Sequence, residues 1–459
     1  MSKLSFPLVP RTAGLTRRSF LGTTAAVGVG SVLAACGAGG TTASGVSSAS
    51  SGASSSGGSA ASSGGGSKST LNVLCEGGGH AELTKVGQAF TQQTGTTVNF
   101  IELPYDGLFN RVTSELSSGS LSFDVVALDA VWLPGFAAAL HPLDSLFTDS
   151  VKADLFSPLV SGAQVNGKYV GMPAWTNAEI IFYRTDLFGS PAEQATFKAK
   201  FGYPLAAPKT WQQFQDAATH FTRKGLYGTD VKGAVETEWL AHVLQAGSPG
   251  VVLDGNNKVI IDNAQHVQAL KFYSELANKY KVAPSGAAQV DWAAAQNLFN
   301  QGQTAMTRFW AHAFPLIPKD SPVHGKVAAA PMIGGPGGVA GVPGPWYLSA
   351  PAKGTQTDLA VKFIQFMYDH NALCVDSSLG LAARKSVLAD YAKKPGYQHF
   401  AALQTTLDAK ATRNRPQTPK WQQIVDTILV PTLQKSLSGN TDYAGLLASA
   451  RTQVEKLVA

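Results

Sequence analysis

The chain has 459 residues, which is more than one ordinary hydrophobic core holds, so two folded domains are expected. Apolar residues make up 44% of it, and its formal net charge is +6. Four basic residues, Lys3, Arg11, Arg17 and Arg18, precede Cys36, and no acidic residue occurs before Glu76. Subtracting the four from the 36 basic residues leaves 32 against 30 acidic ones. This near balance gives no electrostatic reason to expect nucleic acid or an anionic membrane as a partner.

Residues 1–35 have the pattern of an export signal. The twin arginine Arg17-Arg18 precedes a weakly apolar stretch, 21–32, and small residues then lead to Cys36. The pattern resembles a twin-arginine leader with a bacterial lipobox. That resemblance implies cleavage before Cys36, a lipid on its thiol, export in the folded state, and attachment to the outer face of the cell membrane. An ordinary signal peptide and an uncleaved anchor are the alternatives.

The segment after Cys36 predicts a flexible tether. Residues 37–69 are almost entirely Gly, Ser, Ala and Thr, with Lys68 the only charge. They cannot bury enough apolar surface to fold, and a chain of this kind spans roughly 30 Å. We therefore assign 36–69 to a lipidated cysteine and a linker.

Three repeats of a strand followed by a helix open the folded body. Strands at Leu71–Cys75 and Thr97–Leu103 precede helices at His80–Gln93 and Asp106–Leu116. The third strand, Val125–Leu128, is an unbroken apolar run of the kind that is buried on both faces. Strand–helix alternation of this kind predicts a parallel α/β sheet.

The end of the third strand is the first candidate ligand edge. Asp129 follows the strand directly, and Trp132 comes three residues later. Ligands of open α/β sheets collect outside the carboxyl ends of the strands. The glycine turn at 77–79, before the first helix, also suits close approach of a ligand. Packing of Trp132 under the apolar segment that follows is the structural alternative.

Later segments predict a second sheet and a helical C-terminal part. The run Gly171–Phe188 has the pattern of a chain leaving one sheet and entering another, and a hairpin is expected at Val251–Ile261. Asp262 or Asn263 is expected to cap a long helix that ends near Tyr280. Residues 292–310 predict a helix, a turn and a strand, and 339–349 a Gly/Pro-rich loop. Further helices are expected at 236–245, 357–370, 385–392 and 421–437, with a last one ending near residue 457.

Cysteine and histidine spacing indicates no metal site, and no cofactor is expected. Cys75 and Cys374 could pair in an oxidising compartment or remain buried free thiols, and their spacing does not decide between the two.

The order of these segments is similar to that of the family 1 extracellular solute-binding proteins of ABC importers, which include the maltodextrin-binding proteins. The resemblance covers about residues 70–459 and rests on the leader and four segments: 123–144, 171–188, 208–211 and 299–306. It implies a two-lobed α/β fold like that of periplasmic binding proteins of type II, with the ligand in a cleft between lobes joined by crossing segments. Lobe 1 would comprise residues 70–177 and 345–385, and lobe 2 residues 178–344 and 386–459.

The resemblance further implies a binding function without catalysis. The expected ligand is a small carbohydrate, because aromatic faces stack on sugar rings while carboxylates and amides bind hydroxyls. The expected partners are permease subunits of an ABC importer, and the protein is expected to be a monomer. By position, the cleft candidates are Glu76, Gly78, Asp129, Trp132, Trp175, Asn177, Glu236, Glu238, Trp239, Trp310, Trp346, Tyr347 and Arg384.

Some of these side chains have structural alternatives. Glu236 and Glu238 are two positions apart and cannot both face the cleft from one helix. Trp239 could belong to the core or to the site. Three other tryptophans, Trp211, Trp292 and Trp421, are expected to be structural.

Two other functions remain open. A polyamine receptor of the same build would also have an acidic and aromatic cleft. A secreted glycoside hydrolase would need paired carboxylates, for which Asp129 and Glu238 could be named, but the sequence has no nucleophile elbow, metal cluster or His–Asp pair to support it. Iron and oxyanion receptors fit less well, because no two tyrosines are adjacent and the cleft candidates are acidic.

Overall fold

Two separate β-sheets organise the folded part of the chain. The computed structural model describes residues 69–77, 79–377 and 379–458, which lie in one compact unit, Gly66–Ala459. The expected leader, Cys36, the tether up to residue 68, and Gly78 lie outside the described residues. The described strands are β1 (Thr70–Glu76), β2 (Thr97–Leu103), β3 (Val125–Asp129), β4 (Gln164–Val165), β5 (Lys168–Tyr169), β6 (Met172–Trp175), β7 (Glu179–Arg184), β8 (Met306–Trp310), β9 (Val327–Ala330), β10 (Gly334–Gly335), β11 (Gly338–Val339) and β12 (Trp346–Ser349).

The first sheet has the order β2-β1-β3-β12-β6 and forms the core of what we call lobe 1. Strands β1, β2 and β3 are parallel, as predicted, and every residue of β3 is buried. Strand β12 runs antiparallel to both β3 and β6. The predicted Gly/Pro-rich loop therefore contains a sheet strand, which makes the sheet mixed rather than parallel.

The second sheet, β8-β7-β9, is antiparallel and forms the core of lobe 2. Connections between the lobes run through residues 176–178, 340–345 and 379–384. These connections lie side by side: the Asn177 carbonyl accepts from the Gly344 amide at 2.9 Å, and the Ala382 carbonyl accepts from the Thr176 amide at 3.2 Å. They form the seam between the lobes.

Helices cover both sheets, and side-chain caps fix several of their starts. Thr210, Asn263 and Asp291 each accept a hydrogen bond from an amide in the first turn of the helix that follows. The described helices are α1 (Gly79–Thr94), α2 (Tyr105–Ser118), α3 (Leu133–Phe136), α4 (Asp149–Ala153), α5 (Ser157–Ala163), α6 (Thr185–Phe188), α7 (Pro191–Phe201), α8 (Trp211–Phe221), α9 (Thr237–Gln245), α10 (Ala264–Asn278), α11 (Trp292–Asn300), α12 (Thr357–Asp369), α13 (Ala372–Val375), α14 (Lys385–Ala392), α15 (His399–Leu407), α16 (Trp421–Ile424), α17 (Val430–Leu437) and α18 (Tyr443–Val458).

Three local predictions needed correction or completion. The hairpin expected at 251–261 is reduced to one isolated bridge, Leu253 to Val259. The helix expected at 421–437 is interrupted by a π-helical turn, Val425–Leu429, immediately before Pro431, whose missing N–H favours such a break. Cys75 and Cys374 are both buried free thiols rather than a disulfide. Within the described ranges, no helix combines the length and apolar character that a membrane span requires.

Candidate ligand-binding site

One edge of the first sheet gathers polar and aromatic side chains from several strands. Glu76, Asp129 and Trp175 end β1, β3 and β6, and Trp346 begins the antiparallel strand β12. In the register of the sheet, Trp346 is paired with Asp129 on one side and with Trp175 on the other. Distant parts of the chain therefore meet at the edge where ligands of α/β sheets bind.

Five aromatic side chains from this edge and from α2 form a continuous group, which we call the aromatic cluster. Its members are Tyr105, Phe109, Trp132, Trp175 and Trp346. The Tyr105 and Trp132 rings lie 4.5 Å apart between centroids, those of Phe109 and Trp132 5.4 Å, and those of Trp132 and Trp346 5.8 Å. Trp132 and Trp175 are buried, whereas Phe109 is 40% exposed. Solvent therefore reaches the outer edge of the cluster at Phe109. The buried rings become accessible to a ligand only when the site opens.

Asp129 lies at the centre of the polar contacts. Its Oδ2 accepts a hydrogen bond from the Tyr105 hydroxyl at 3.0 Å, and its Oδ1 accepts from the Val131 amide and from the Arg415 guanidinium, each at 3.2 Å. Burial, together with the nearby Asp129 charge, raises the pKa of Glu76 to about 7. The edge thus carries two carboxyl groups of different character. Asp129 is an acceptor held in place by its hydrogen bonds, and Glu76 titrates near neutral pH.

Lobe 2 supplies the facing wall. Burial is the main cause that raises the pKa of Glu236; Asp129 and Asp426 act in the same direction, while Arg415 opposes them. Gln422 closes a cavity of about 230 Å³ whose other lining residues are Tyr105, Phe109, Asn110 and Trp132. Aromatic rings from lobe 1 and the Gln422 side chain from lobe 2 therefore line one cavity.

The seam between the lobes contributes Asn177 and Trp310. The Asn177 Nδ2 lies 2.7 Å from His312 Nδ1, and its Oδ1 accepts from the Ala178 amide. Burial lowers the pKa of His312 to about 4, so the imidazole is neutral, and accepting at Nδ1 leaves its proton on Nε2. A Cβ at Gly344 would lie 3.2 Å from two ring carbons of Trp310, which places Trp310 against the connection 340–345.

Four expected cleft residues have structural partners instead. Glu238 is fully buried and pairs with Lys232 at 2.6 Å and with Arg308, because α9 turns this position into the interior of lobe 2. Its neighbour Trp239 is also fully buried, so the core alternative is the correct one.

Tyr347 and Arg384 are the other two corrections. Alternation along β12 turns Tyr347 away from Trp346 and into the core, where its hydroxyl donates to the Leu159 carbonyl at 3.0 Å. Arg384 occupies the N-cap position of α14, and its side chain forms an ion pair with Asp154 at 2.7 Å and lies over the Tyr368 ring.

The other expectations about tryptophans fit their positions. Trp211 stacks on Phe272 at 4.3 Å and donates to Gln245, and Trp421 is buried, so both are structural. Trp292 packs against Trp310 and Phe309.

Sequence reasoning missed Tyr105, Phe109, Arg415 and Gln422. Tyr105 comes two residues after β2, so the rule that selected Asp129 could have found it. Arg415 and Gln422 had no such signal, because the first lies in an irregular segment and the second in a helix four residues long.

A larger cavity, about 400 Å³, lies between α5 and residues 407–414. None of its lining residues is aromatic, so it lacks the stacking surface that the smaller cavity has. We therefore take the edge of the first sheet as the candidate site.

The family of the chain follows from comparison with known proteins. The sequence profile of the bacterial extracellular solute-binding proteins matches residues 77–372, which is more than half of the chain. The chain belongs to this family. This solute-binding protein is 28% identical over 320 residues to a probable ABC transporter-binding protein of Deinococcus radiodurans, an alignment that covers 65% of this chain and 71% of the relative.

Solved structures share its fold. The maltose-bound MalE3 of T. maritima has a TM-score of 0.69 and 25% identity, covering 84% of this chain and 99% of that one. The sugar-binding protein MalE of Xanthomonas citri has a TM-score of 0.71 and 21% identity, covering 84% and 97%. These similarities confirm the predicted two-lobed α/β fold of the solute-binding protein.

Proposed function

We propose that this protein is a lipid-anchored receptor that captures a sugar or small oligosaccharide between its lobes and delivers it to the permease subunits of an ABC importer. The observation that carries the proposal is the meeting of the aromatic cluster with Glu76 and Asp129 at one sheet edge, opposite Glu236 of lobe 2. Aromatic faces suit the apolar side of a sugar ring, and carboxylates accept from its hydroxyls. Family membership supports a binding function.

Capture would proceed by hinge closure. Lobe 1 is proposed to comprise residues 70–177 and 345–385, and lobe 2 residues 178–344 and 386–459. The connections at 176–178, 340–345 and 379–384 are few and adjacent, which suits rotation of one lobe against the other. A ligand that contacts both lobes stabilises the closed state by the difference between its binding free energies for the closed and the open state.

The membrane anchor is proposed from the leader pattern and Cys36 alone. Metabolic labelling with a radioactive fatty acid tests it in the bacterium that makes the protein. The wild-type chain is expected to take up the label and fractionate with membranes, whereas Cys36→Ser is expected to do neither. Equal labelling of both chains would exclude Cys36 as the lipid site.

A polyamine is the second candidate ligand, because the site holds three carboxyl groups, Glu76, Asp129 and Glu236, against one guanidinium, Arg415. Calorimetric titration of the wild-type protein with maltose, maltotriose, D-mannitol and spermidine separates the two candidates. Saturable binding of a sugar or polyol is expected, with a matching rise in melting temperature. Binding of spermidine alone would replace the sugar proposal, and sustained hydrolysis of an oligosaccharide would replace the receptor proposal by an enzymatic one.

The placement of the site has its own test. Asp129→Ala is expected to abolish ligand binding while the circular dichroism spectrum of the folded protein persists. Asp149→Ala is the matched control, because Asp149 is an exposed carboxylate of lobe 1 that pairs with Lys152 on the surface. Normal binding by Asp129→Ala would show that the site lies elsewhere.

A further inference from the structure

One segment of lobe 2 lies along the surface of lobe 1. It connects α15 to α16, and residues 414–422, which we call the strap, contact lobe 1 repeatedly. Its origin is held in lobe 2, where the Thr412 hydroxyl donates to the Thr406 carbonyl and accepts from the Gly341 amide. The strap therefore spans the two lobes without being one of their covalent connections.

The strap binds α5 through side-chain amides. The Asn414 Nδ2 donates to the Pro158 carbonyl at 2.5 Å, and the Gln417 Nε2 lies 3.1–3.4 Å from the carbonyls of Ser161, Gly162 and Gln164. The last carbonyls of a helix have no i+4 amide within it, so Gln417 supplies a donor at the C-terminal end of α5, where the Ser161 and Gly162 carbonyls lie. The contact is polar and reversible.

The strap then continues towards the aromatic cluster. Pro419 lies beside Gly135 of α3, where an added Cβ would be 3.6 Å from the Pro419 Cβ. Gln422 lines the 230 Å³ cavity together with Phe109 and Trp132. The strap thus covers the candidate site from α5 to α2.

Arg415 is the strap residue that enters the site. Its Nη2 lies 3.2 Å from Asp129 Oδ1, and only 13% and 11% of the two side chains are exposed. A carboxylate has about four acceptor positions, and at Asp129 the Val131 amide, the Tyr105 hydroxyl and Arg415 fill three. Among these three donors, only Arg415 comes from across the cleft, so it is the donor that a ligand hydroxyl would replace.

We propose that Arg415 competes with the ligand for Asp129 and thereby sets the affinity and selectivity of the site. The inference rests on the proposed function, since it assumes that the ligand binds at Asp129. In the ligand-free protein the Arg415–Asp129 ion pair and the strap amides hold the lobes together. A ligand binds only the fraction of molecules in which Arg415 has left Asp129, so the apparent Kd is the intrinsic Kd divided by that fraction. Ligands unable to replace the guanidinium with a hydroxyl donor are rejected.

Maltose and D-mannitol serve as probes in a titration of the full-length protein and its variants. Arg415→Ala is expected to bind the better probe about tenfold more tightly, because the released fraction rises. Arg415→Lys should lie in between. Arg413→Ala is the matched control, since this exposed neighbour donates to the Lys410 and Thr412 carbonyls and should leave the Kd unchanged.

A second measurement does not depend on the ligand. Small-angle X-ray scattering of the ligand-free proteins is expected to give a larger radius of gyration for Arg415→Ala, and for the double variant Asn414→Ala/Gln417→Ala, than for the wild type or Arg413→Ala. Weaker binding by Arg415→Ala would overturn the proposal, because Arg415 would then contact the ligand. If neither probe binds any variant, the sugar proposal fails, and the scattering experiment alone tests whether the strap holds the lobes together. A larger radius of gyration in the variants supports that role, and unchanged dimensions overturn it.

Discussion

Trp175 and Trp346 stack with ring centroids 5.9 Å apart and planes 16° from parallel, and the two residues also pair across neighbouring strands. One ends β6 just before the chain first leaves lobe 1, and the other begins β12 where the chain returns. The stack therefore ties together both ends of the excursion into lobe 2, at the edge that carries the candidate site.

The first prediction concerns the aromatic cluster. Trp346→Ala is expected to raise the Kd for the sugar about tenfold or more, because truncation of an aromatic anchor removes both contact area and stacking. Trp346→Phe should retain most of the affinity, since it keeps an aromatic face. Isothermal titration calorimetry measures both. Equal loss in both variants would assign Trp346 a packing role only, and Trp211→Phe, in the core of lobe 2, is the control that should leave the Kd unchanged.

The second prediction concerns Glu179, the first residue of β7. It is buried, and neither carboxyl oxygen makes a hydrogen bond of regular geometry to any described residue. Burial raises the pKa of Glu179 to about 8; the Glu238 charge acts in the same direction, while Lys232, the nearby Thr237 hydroxyl and Arg308 oppose it. Lobe 2 therefore contains a carboxyl group that is protonated at neutral pH.

The sign of the pH dependence follows from that shift. Between pH 4.5 and about 8 the folded protein holds a proton on Glu179 that the unfolded chain has lost, so the free energy of unfolding falls as the pH rises. Glu179→Gln should unfold at a higher urea concentration than the wild type at pH 9 and show a weaker pH dependence. Part of the slope should remain, since the pKa of Glu76 and that of Glu82 are also raised, to about 7.

Glu193→Gln is the control for this pH series. Although burial alone would raise the pKa of Glu193, hydrogen bonds and charge from Arg223 and His220 lower it, so its effect on the slope has the opposite sign. The same pH profile for Glu179→Gln and the wild type would mean that Glu179 is ionised in the folded protein.

The third prediction concerns the buried ion cluster beneath Glu179. Lys232 Nζ lies 2.5 Å from Asp230 and 2.6 Å from Glu238, and it donates to the Arg308 carbonyl at 2.7 Å, with the three charged side chains fully buried. Lys232→Met should lower the free energy of unfolding by about 3–5 kcal/mol, because it leaves the Asp230 carboxylate without its buried cation and Glu238 with Arg308 alone. Urea denaturation checks this. Lys279→Met, which removes an exposed lysine beside Glu275, should cause no measurable change.

The fourth prediction concerns Gly162 of α5. A Cβ there would lie 2.5 Å from the Tyr347 hydroxyl oxygen and 3.1 Å from Asn414 Nδ2. Gly162→Ala should lower the free energy of unfolding by about 1–3 kcal/mol, as overpacking does, and loosen the strap. Gly255→Ala adds a methyl group where nothing lies within 4 Å and should be neutral. Equal melting temperatures for both variants would contradict the close packing at Gly162.

The part of the fold that could be predicted is the part with strong periodicity. The apolar run of β3 and the two strand–helix units before it appear as expected, because a strand buried on both faces needs apolar residues throughout. Strand β12 was missed because it is only four residues long and follows Gly344-Pro345, a dipeptide typical of loops. Its membership of the sheet depends on β3 and β6, which a local pattern does not contain.

Only the lobe 1 side of the candidate site could be predicted from the sequence. Asp129 and Trp132 follow from the rule that strand ends gather ligands, since each lies at or just after the end of β3, whereas Trp175 was expected from the family resemblance. The prediction for Glu238 failed because the periodicity of a helix does not show which face of α9 packs into the interior. The ion pairs of Glu238 with Lys232 and Arg308 identify that face. Arg415 reaches Asp129 from a segment without periodicity, so only the three-dimensional arrangement reveals it.

The position of β12 constrains how the protein is made. Within the described residues, β6 pairs with β12 alone, and β12 also covers the open side of β3. A ribosome that has not yet reached residue 346 therefore carries a nascent lobe 1 with an unpaired strand and an exposed sheet edge, which is a site for aggregation. The lobe 2 segment 178–344 must emerge before lobe 1 can be completed, so the lobe whose synthesis starts first stays unfinished until β12 has been made. A chaperone that protects the emerging chain is therefore needed at β3 and β6 until β12 has been synthesised.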